Sequence, residues 1–251
     1  MLTEERYELI LKLLKKRGSV TLAEIKEALG VSESTIRRDL NALDAAGRLT
    51  KVFGGAVSLE GAFTGTEPSV AQKIGLQQEE KREVARFAAG LIQDDDFIYL
   101  DAGTTTGYIL DYLPDCRATF VTNAVSHAQR LAAAGRRVIL IGGELKGTTE
   151  AVVGSRAILT IQGYHFTKGF FGTNGISKRH GFTTPDPNEA LVKQTAMEQT
   201  EHCYVLADSQ KFGVVSSVTF ASFEGAVILT ETEPPEGFGG SGNIRVTWDK
   251  E

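Results

Sequence analysis

Apolar positions recur at two different periods along the chain, and the change from one to the other divides it. Tyr7, Ile10, Leu11 and Leu14 fall at i, i+3, i+4 and i+7 and predict a first helix. Leu22, Ile25, Ala28 and Leu29 predict a second, closed by Gly30-Val31. Ile36, Leu40 and Leu43 are the buried stripe of a third, with Ser32 placed as its N-cap. Opposite that stripe fall Ser34, Arg38, Asn41 and Ala45, with Arg37 beside them, so a basic polar face is left for solvent. Leu49–Phe53 and Ala56–Leu59 read as short strands around the turn Gly54-Gly55, with Arg48 and Lys51 near its tip. An ordinary helical hairpin with a solvated basic face would account for the helix pair alone. Three helices followed by a hairpin make a winged helix-turn-helix instead, whose second helix of the pair enters the major groove of DNA.

After the hairpin, residues 58–76 read as a connecting segment, richest in Gly, Ser and Thr over Ser58–Pro68. A helical pattern returns over Gln77–Ile92, with Val84, Phe87, Ala88 and Leu91 on one face. From there short apolar runs alternate with helical patterns: Phe97–Leu100, Thr119–Val121, Val138–Ile141, Gly169–Phe171, Tyr204–Ala207 and Ala226–Leu229, with helices over 105–113, 124–134 and 188–200. That rhythm predicts an α/β domain over 77–251 with a doubly wound, mainly parallel sheet. A glycine-rich tail after Pro234-Pro235 precedes a last strand over Asn243–Trp248.

In a parallel sheet the carboxyl ends of the strands share one edge, where ligands of open α/β sheets bind. Here those ends carry Asp101-Ala102-Gly103-Thr104-Thr105-Thr106, Thr122-Asn123, Gly142-Gly143-Glu144, Gly172-Thr173-Asn174-Gly175 and Asp208-Ser209-Gln210-Lys211. Any one of these taken alone reads as turn and cap chemistry. Five together predict a binding edge. The Asp101–Thr106 loop suits a phosphate, since Gly103 permits backbone approach and three hydroxyls stand at a helix N-terminus. It is neither a Walker A loop nor a GxGxxG fingerprint, so no nucleotide cofactor is expected. Asp101, Asn123, Glu144, Asn174, Asp208 and Lys211 suit sugar hydroxyls, and the mixture fits a phosphorylated sugar. Lys193 can reach the same edge or pair with Glu189 at i, i+4.

Charge sharpens the division. The chain carries a net charge of −5, but residues 1–57 hold ten Lys and Arg against eight Asp and Glu, a small positive excess on the segment expected to meet DNA. Cys116 and Cys203, far apart in sequence, suggest neither a disulfide framework nor a metal site, and no run resembles a signal peptide or membrane span. A cytoplasmic protein without a metal is expected.

Glu5-Arg6, Ile10-Leu11, Val31-Ser32, Thr35-Ile36-Arg37-Arg38-Asp39-Leu40, Leu43, Gly47 and Gly54-Gly55-Ala56 resemble the N-terminal domain of the DeoR family of bacterial repressors. Lys51 and Phe53 stand where that family commonly has Arg and His. Further on, Asp101-Ala102-Gly103-Thr104-Thr105, Val121-Thr122-Asn123, Ile141-Gly142-Gly143, Gly154, Gly172-Thr173-Asn174-Gly175, Gly181-Phe182-Thr183-Thr184-Pro185 and Ala207-Asp208-Ser209-Gln210-Lys211-Phe212-Gly213 resemble the DeoR-type sensor domain. That resemblance implies a fold similar to ribose-5-phosphate isomerase and a phosphate loop at Asp101–Thr106. The run Gly172–Pro185 with Glu189-Ala190 and Lys193 most resembles repressors of fructose operons, implying fructose 1-phosphate as effector. Repressors of the tagatose 6-phosphate pathway look similar. Glu231 stands where many relatives have Asp.

The expected function is a transcriptional repressor of a sugar-utilisation operon, relieved by a sugar phosphate and assembled as a homodimer or homotetramer on double-stranded operator DNA. Ser32, Ser34, Thr35, Arg37, Arg38, Asn41 and Lys51 would contact DNA. Asp101, Gly103, Thr104, Thr105, Thr106, Asn123, Gly142, Gly143, Glu144, Thr173, Asn174, Gly175, Lys193, Asp208 and Lys211 would form the effector site. The competing reading is a sugar-phosphate isomerase fused to a DNA-binding domain, with Asp101, Glu144 or Asp208 as the base.

Overall fold

The computed structural model describes residues 3–17, 19–46, 48–52, 54–57, 62–64, 73 and 76–247. Phe53, Trp248 and most of the Ser58–Pro68 segment lie outside the described residues. The N-terminal part comprises α1 (Thr3–Arg17), β1 (Ser19–Thr21), α2 (Leu22–Leu29), α3 (Glu33–Ala45), β2 (Thr50–Val52) and β3 (Gly55–Val57). Ile10, Leu14, Ile25, Leu29, Ile36, Leu40 and Leu43 close its core, as their helical spacing predicts. The strand β1 is absent from the sequence reading: three residues are too few to show a period, yet they pair antiparallel with β3 and put Val20 into the core. This pairing also moves Gly55 out of the turn. It pairs with Val52 and with Thr21, and a Cβ there would lie 2.0 Å from the Val20 carbonyl oxygen.

Thr21 starts α2 with a reciprocal cap. Its hydroxyl accepts from the Glu24 N–H, while the Glu24 carboxylate accepts from the Thr21 N–H at 2.7 Å. Gly30 ends the helix with φ +63, where a side chain would be strained. Asp39 interrupts the apolar stripe of α3 but is buried, because Arg6 of α1 reaches it with Nε at 2.6 Å and Nη2 at 2.9 Å.

One expectation changes in the connecting segment. Ala62–Thr64 is a strand, β4, paired in parallel with residues Val214–Ser216 of the C-terminal domain. This part of the expected linker therefore belongs to the second domain's hydrogen bonding.

The second domain runs α4 (Gln78–Ala89), β5 (Phe97–Leu100), α5 (Thr104–Tyr108), β6 (Thr119–Thr122), α6 (Val125–Ala133), β7 (Arg137–Leu140), β8 (Glu144–Lys146), β9 (Ala151–Val153) and α7 (Ser155–Gln162). It continues with β10 (Phe166–Gly172), β11 (Gly175–Ser177), β12 (Gly181–Thr184), α8 (Pro187–Glu198), β13 (Thr200–Leu206), β14 (Val214–Ser216), β15 (Val218–Ala221), β16 (Val227–Thr230) and β17 (Ile244–Val246). Seven strands form one sheet in the order β17-β16-β13-β10-β5-β6-β7, and every neighbouring pair is parallel. Alternation along the strands feeds two cores. Tyr99, Val121, Phe171, Val205 and Ile228 pack with α7 and α8, while Ile98, Leu100, Phe120, Phe170, Leu206 and Leu229 pack with α4. Both faces are covered, which is the doubly wound arrangement.

Strand order decides where a ligand fits. The chain lays down β5, β6 and β7 outward in one direction, then crosses back to place β10 on the other side of β5. The loops after β5 and β10 therefore diverge to opposite faces and leave a crevice between them, the switch point of the sheet.

Candidate functional site

Two regions carry the chemistry. On α3, Ser34, Arg37, Arg38 and Asn41 lie at i, i+3, i+4 and i+7, and all four are exposed. Ser32 caps the helix, its hydroxyl accepting from the Thr35 N–H at 3.3 Å and lying 2.9 Å from the hydroxyls of both Ser34 and Thr35. Arg37 is bonded to Glu33 at 2.6 Å, and the Lys51 ammonium of the wing donates to the Asn41 side-chain Oδ1 at 2.6 Å. The wing backbone is tied to the same helix, since the Lys51 N–H donates to Asp44 at 2.9 Å. Helix and wing thus present one continuous polar surface.

The second region is the crevice at the switch point, a cavity of about 120 Å³. Of the residues expected at an effector site, the structure brings Gly103, Thr104, Thr105, Thr173, Asn174, Lys193, Asp208 and Lys211 to its wall. Gly103 and Gly172 meet closely there, a Cβ on the former lying 3.7 Å from the latter's Cα. Asp101 lies buried just beneath. Its Oδ2 accepts from the Gly172 N–H at 3.0 Å and from the Lys193 ammonium, which also donates to the Gly172 carbonyl at 3.1 Å. One carboxylate therefore ties the β5 loop, the β10 loop and α8 together. The N–H groups of Thr104 and Thr105 have no hydrogen-bond partner among the described residues.

The other expected positions do not line this crevice, each for an identifiable reason. The Thr106 hydroxyl accepts from the Gly103 N–H and donates to the Asp101 and Gly103 carbonyls, so it shapes the loop from within. Asn123 accepts from the Ala102 N–H at 3.0 Å and donates to the Val152 carbonyl, bracing the loop from β6. Gly142, Gly143 and Glu144 are exposed beyond β7, the last strand of the sheet on that side and two strands away from the switch point. Gly175 is buried in β11, where a Cβ would lie 2.3 Å from the Val214 carbonyl oxygen.

Three charged wall residues were not among the expected effector-site positions. Lys73, Lys81 and Glu189 all line the crevice. For Lys81 a signal existed: it precedes Val84, Ala85, Ala88 and Ala89 by three, four, seven and eight residues, so it occupies the buried stripe of α4. It is 4% exposed, and its ammonium donates to the Lys73 carbonyl at 2.7 Å. Burial pushes the Lys81 ammonium down to about 8, with Lys211 and Lys73 acting in the same direction and Asp208 against it. Burial thus disfavours the charged form of this lysine. The Ser209–Lys211 turn that carries Lys211 is itself fixed, because the buried Glu231 carboxylate accepts from the Ser209 N–H at 3.0 and 3.1 Å.

A winged helix-turn-helix followed by an α/β domain with a cationic crevice at its sheet edge is the architecture of a transcription regulator. Residues 6–62 match the DeoR-like helix-turn-helix domain and residues 76–231 the DeoR C terminal sensor domain, so the chain belongs to the DeoR family of transcription regulators. It is 42% identical, over 92% of its own length and 91% of the other's, to an uncharacterized HTH-type transcriptional regulator FruR of Bacillus subtilis (strain 168). It is 35% identical to the lactose phosphotransferase system repressor of Streptococcus mutans, covering 88% of both chains. Among solved structures it is similar to ribose 5-phosphate isomerase A from Methanocaldococcus jannaschii, at 13% identity with a TM-score of 0.41 over 54% of each chain. A likeness of that size bears on neither substrate nor activity.

Proposed function

We propose that the protein is a repressor of a sugar-utilisation operon that leaves its operator when a sugar monophosphate occupies the switch-point crevice. The observation that carries this reading is the convergence of Lys73, Lys81, Lys193 and Lys211 with the Thr104 and Thr105 hydroxyls on one cavity. Lysines recognise phosphate as point charges, and unpaired N–H groups at a helix start add to the attraction. Asp101, the carboxylate best placed for proton abstraction, is bound to Lys193 and the Gly172 N–H, which suits a rigid binding site better than a general base. The resemblance of Gly172–Pro185, Glu189-Ala190 and Lys193 to repressors of fructose operons favours fructose 1-phosphate as effector, with tagatose 6-phosphate as the alternative. Neither cofactor nor metal enters this reading. Two winged domains acting together in a homo-oligomer fit a symmetric operator, and a cytoplasmic location follows from the DNA target.

A thermal-shift panel of sugar phosphates on the full chain tests this directly. The cognate effector at 100 times its Kd should stabilise the chain by about 2.7 kcal/mol, and the same ligand should release operator DNA in a mobility assay. A panel in which no sugar phosphate shifts melting or releases DNA would remove the effector assignment.

A further inference from the structure

Glu189 is 6% exposed, yet it opens onto the lysine-lined crevice. Its Oε1 accepts two hydrogen bonds, from the Thr149 hydroxyl at 2.5 Å and from the Lys146 ammonium at 2.9 Å. Its Oε2 accepts none among the described residues. Both donors come from the β8–β9 hairpin, and Lys146 is anchored in turn by Asp186, the N-cap of α8, at 3.0 Å. One oxygen is thus clamped, and the direction of the other is fixed with it. Thr149 also lines an adjoining cavity of about 380 Å³, and Ala102, Gly103 and Thr104 are shared by both cavities. The Thr149–Glu189 contact therefore stands at the partition between a cationic chamber, small enough to suit a phosphate, and a larger one.

Resting on the phosphate reading above, we infer that Glu189 is the specificity-determining residue of the effector site, its Oε2 accepting a hydrogen bond from a hydroxyl of the ligand's carbon chain, with Thr149 and Lys146 as positioning residues. The ligand class follows from the charges. A carboxylate with one satisfied and one open oxygen selects a hydroxyl donor and repels a second anion. The site then takes a polyol or sugar carrying one phosphate and rejects bisphosphates and phosphorylated sugar acids whose second anion would meet Glu189. Glu189 does not touch the part of the crevice formed by Lys81 and Lys211 through any recorded bond, so phosphate and hydroxyl recognition are separable.

The separating experiment is calorimetry on the full chain with inorganic phosphate, fructose 1-phosphate and single-deoxy analogues of that sugar phosphate. Glu189→Gln keeps the side-chain volume and leaves Lys146 paired with Asp186. It should bind inorganic phosphate within about twofold of the wild type and fructose 1-phosphate about tenfold more weakly, since Oε1 stays clamped and a neutral amide donor replaces the charged acceptor at the open position. One deoxy analogue should bind the wild type weakly and lose nothing further in Glu189→Gln, which a purely structural role could not produce. Thr149→Val should give a smaller loss in the same direction. Equal losses for both ligands, no loss for either, or no deoxy analogue that couples to the substitution would overturn the inference while leaving the phosphate site standing. If neither inorganic phosphate nor any sugar phosphate binds the wild type, the functional reading fails and this inference falls with it.

Discussion

Lys81→Met should shift the response to effector to much higher concentration while leaving operator binding intact. The substitution keeps the length and apolar stem of the side chain and removes only the charge. A hydrogen bond to a charged group is worth about 1.5–3 kcal/mol, so effector affinity should fall roughly 10- to 150-fold. The unliganded protein should not suffer in proportion, because the ammonium is held in a site that disfavours its charge: burial lowers it from 10.5 to about 8. Between those two values the unfolded chain binds more protons than the folded one, so this residue's contribution to stability improves as pH rises from about 8 toward 10.5, and its penalty is fully present below about 8. A phosphate in the crevice reverses the preference and holds the ammonium charged. Effector affinity should therefore be flat between about pH 7 and 7.5, above the second ionisation of the phosphate near pH 6, and fall above pH 8, approaching tenfold per pH unit, with one proton taken up on binding. Calorimetry at several pH values in buffers of different ionisation enthalpy reads both the slope and the proton. In Lys81→Met both should vanish, and a slope that survives the substitution would assign the proton to another group.

That such a lysine escaped the sequence reading has a physical cause. A charge on the buried stripe of a helix looks like an imperfection in the period until a partner for it is known, and the partners of Lys81 come from residues 73, 208 and 211, across the whole domain. The five polar strand ends were legible because a parallel sheet puts them on one edge whatever the strand order. Which of them meet was not legible. Asn123 and Glu144 end strands that follow β5 directly in the sequence, yet the crossover to β10 makes Gly172 and Thr173 the neighbours of Gly103. The helix α7 left little trace, with eight residues, Ile158, Thr160 and Ile161 among them, and only Ala157 and Ile161 buried. By contrast the division of α3 into a buried stripe and an exposed polar face was legible, because the helical period alone places Ser34, Arg38 and Asn41 opposite Ile36, Leu40 and Leu43. For Glu189 the contact weighed from the sequence was an i, i+4 pair with Lys193. The structure turns it instead toward Lys146 and Thr149, because the β8–β9 hairpin, unseen in the sequence, folds over the start of α8.

Arg38→Ala is expected to cost the protein its sequence-specific operator binding. Both arginines on the exposed face of α3 can address guanine edges, but they start from different states. Arg37 must first leave Glu33, and both of these side chains are more than half exposed. An exposed i, i+4 pair is worth about 0.3–0.5 kcal/mol, small beside the roughly 1–3 kcal/mol of a bidentate guanine contact. The Glu33 bond therefore delays Arg37 without preventing it, and relief of that bond in Glu33→Gln should tighten DNA binding by no more than about twofold per half-site. Arg38 has no hydrogen-bond or ion-pair partner among the described residues, so its full contact is lost on truncation. In a dimer the loss occurs in both half-sites, giving about 2–6 kcal/mol in all, or at least roughly 30-fold, together with relaxed preference at the guanine it reads. Lys51 supplies the contrast. It lies on the wing beside Asn41, where a phosphate contact would carry no sequence information, so Lys51→Ala should weaken operator and random DNA alike and flatten the salt dependence by about one unit per wing. Fluorescence anisotropy with operator and scrambled duplexes across a salt series distinguishes the two behaviours. If folded Arg38→Ala protein keeps its preference for operator over scrambled DNA, then α3 does not read bases through this face, and the specificity must come from Arg37 or from the shape of the DNA.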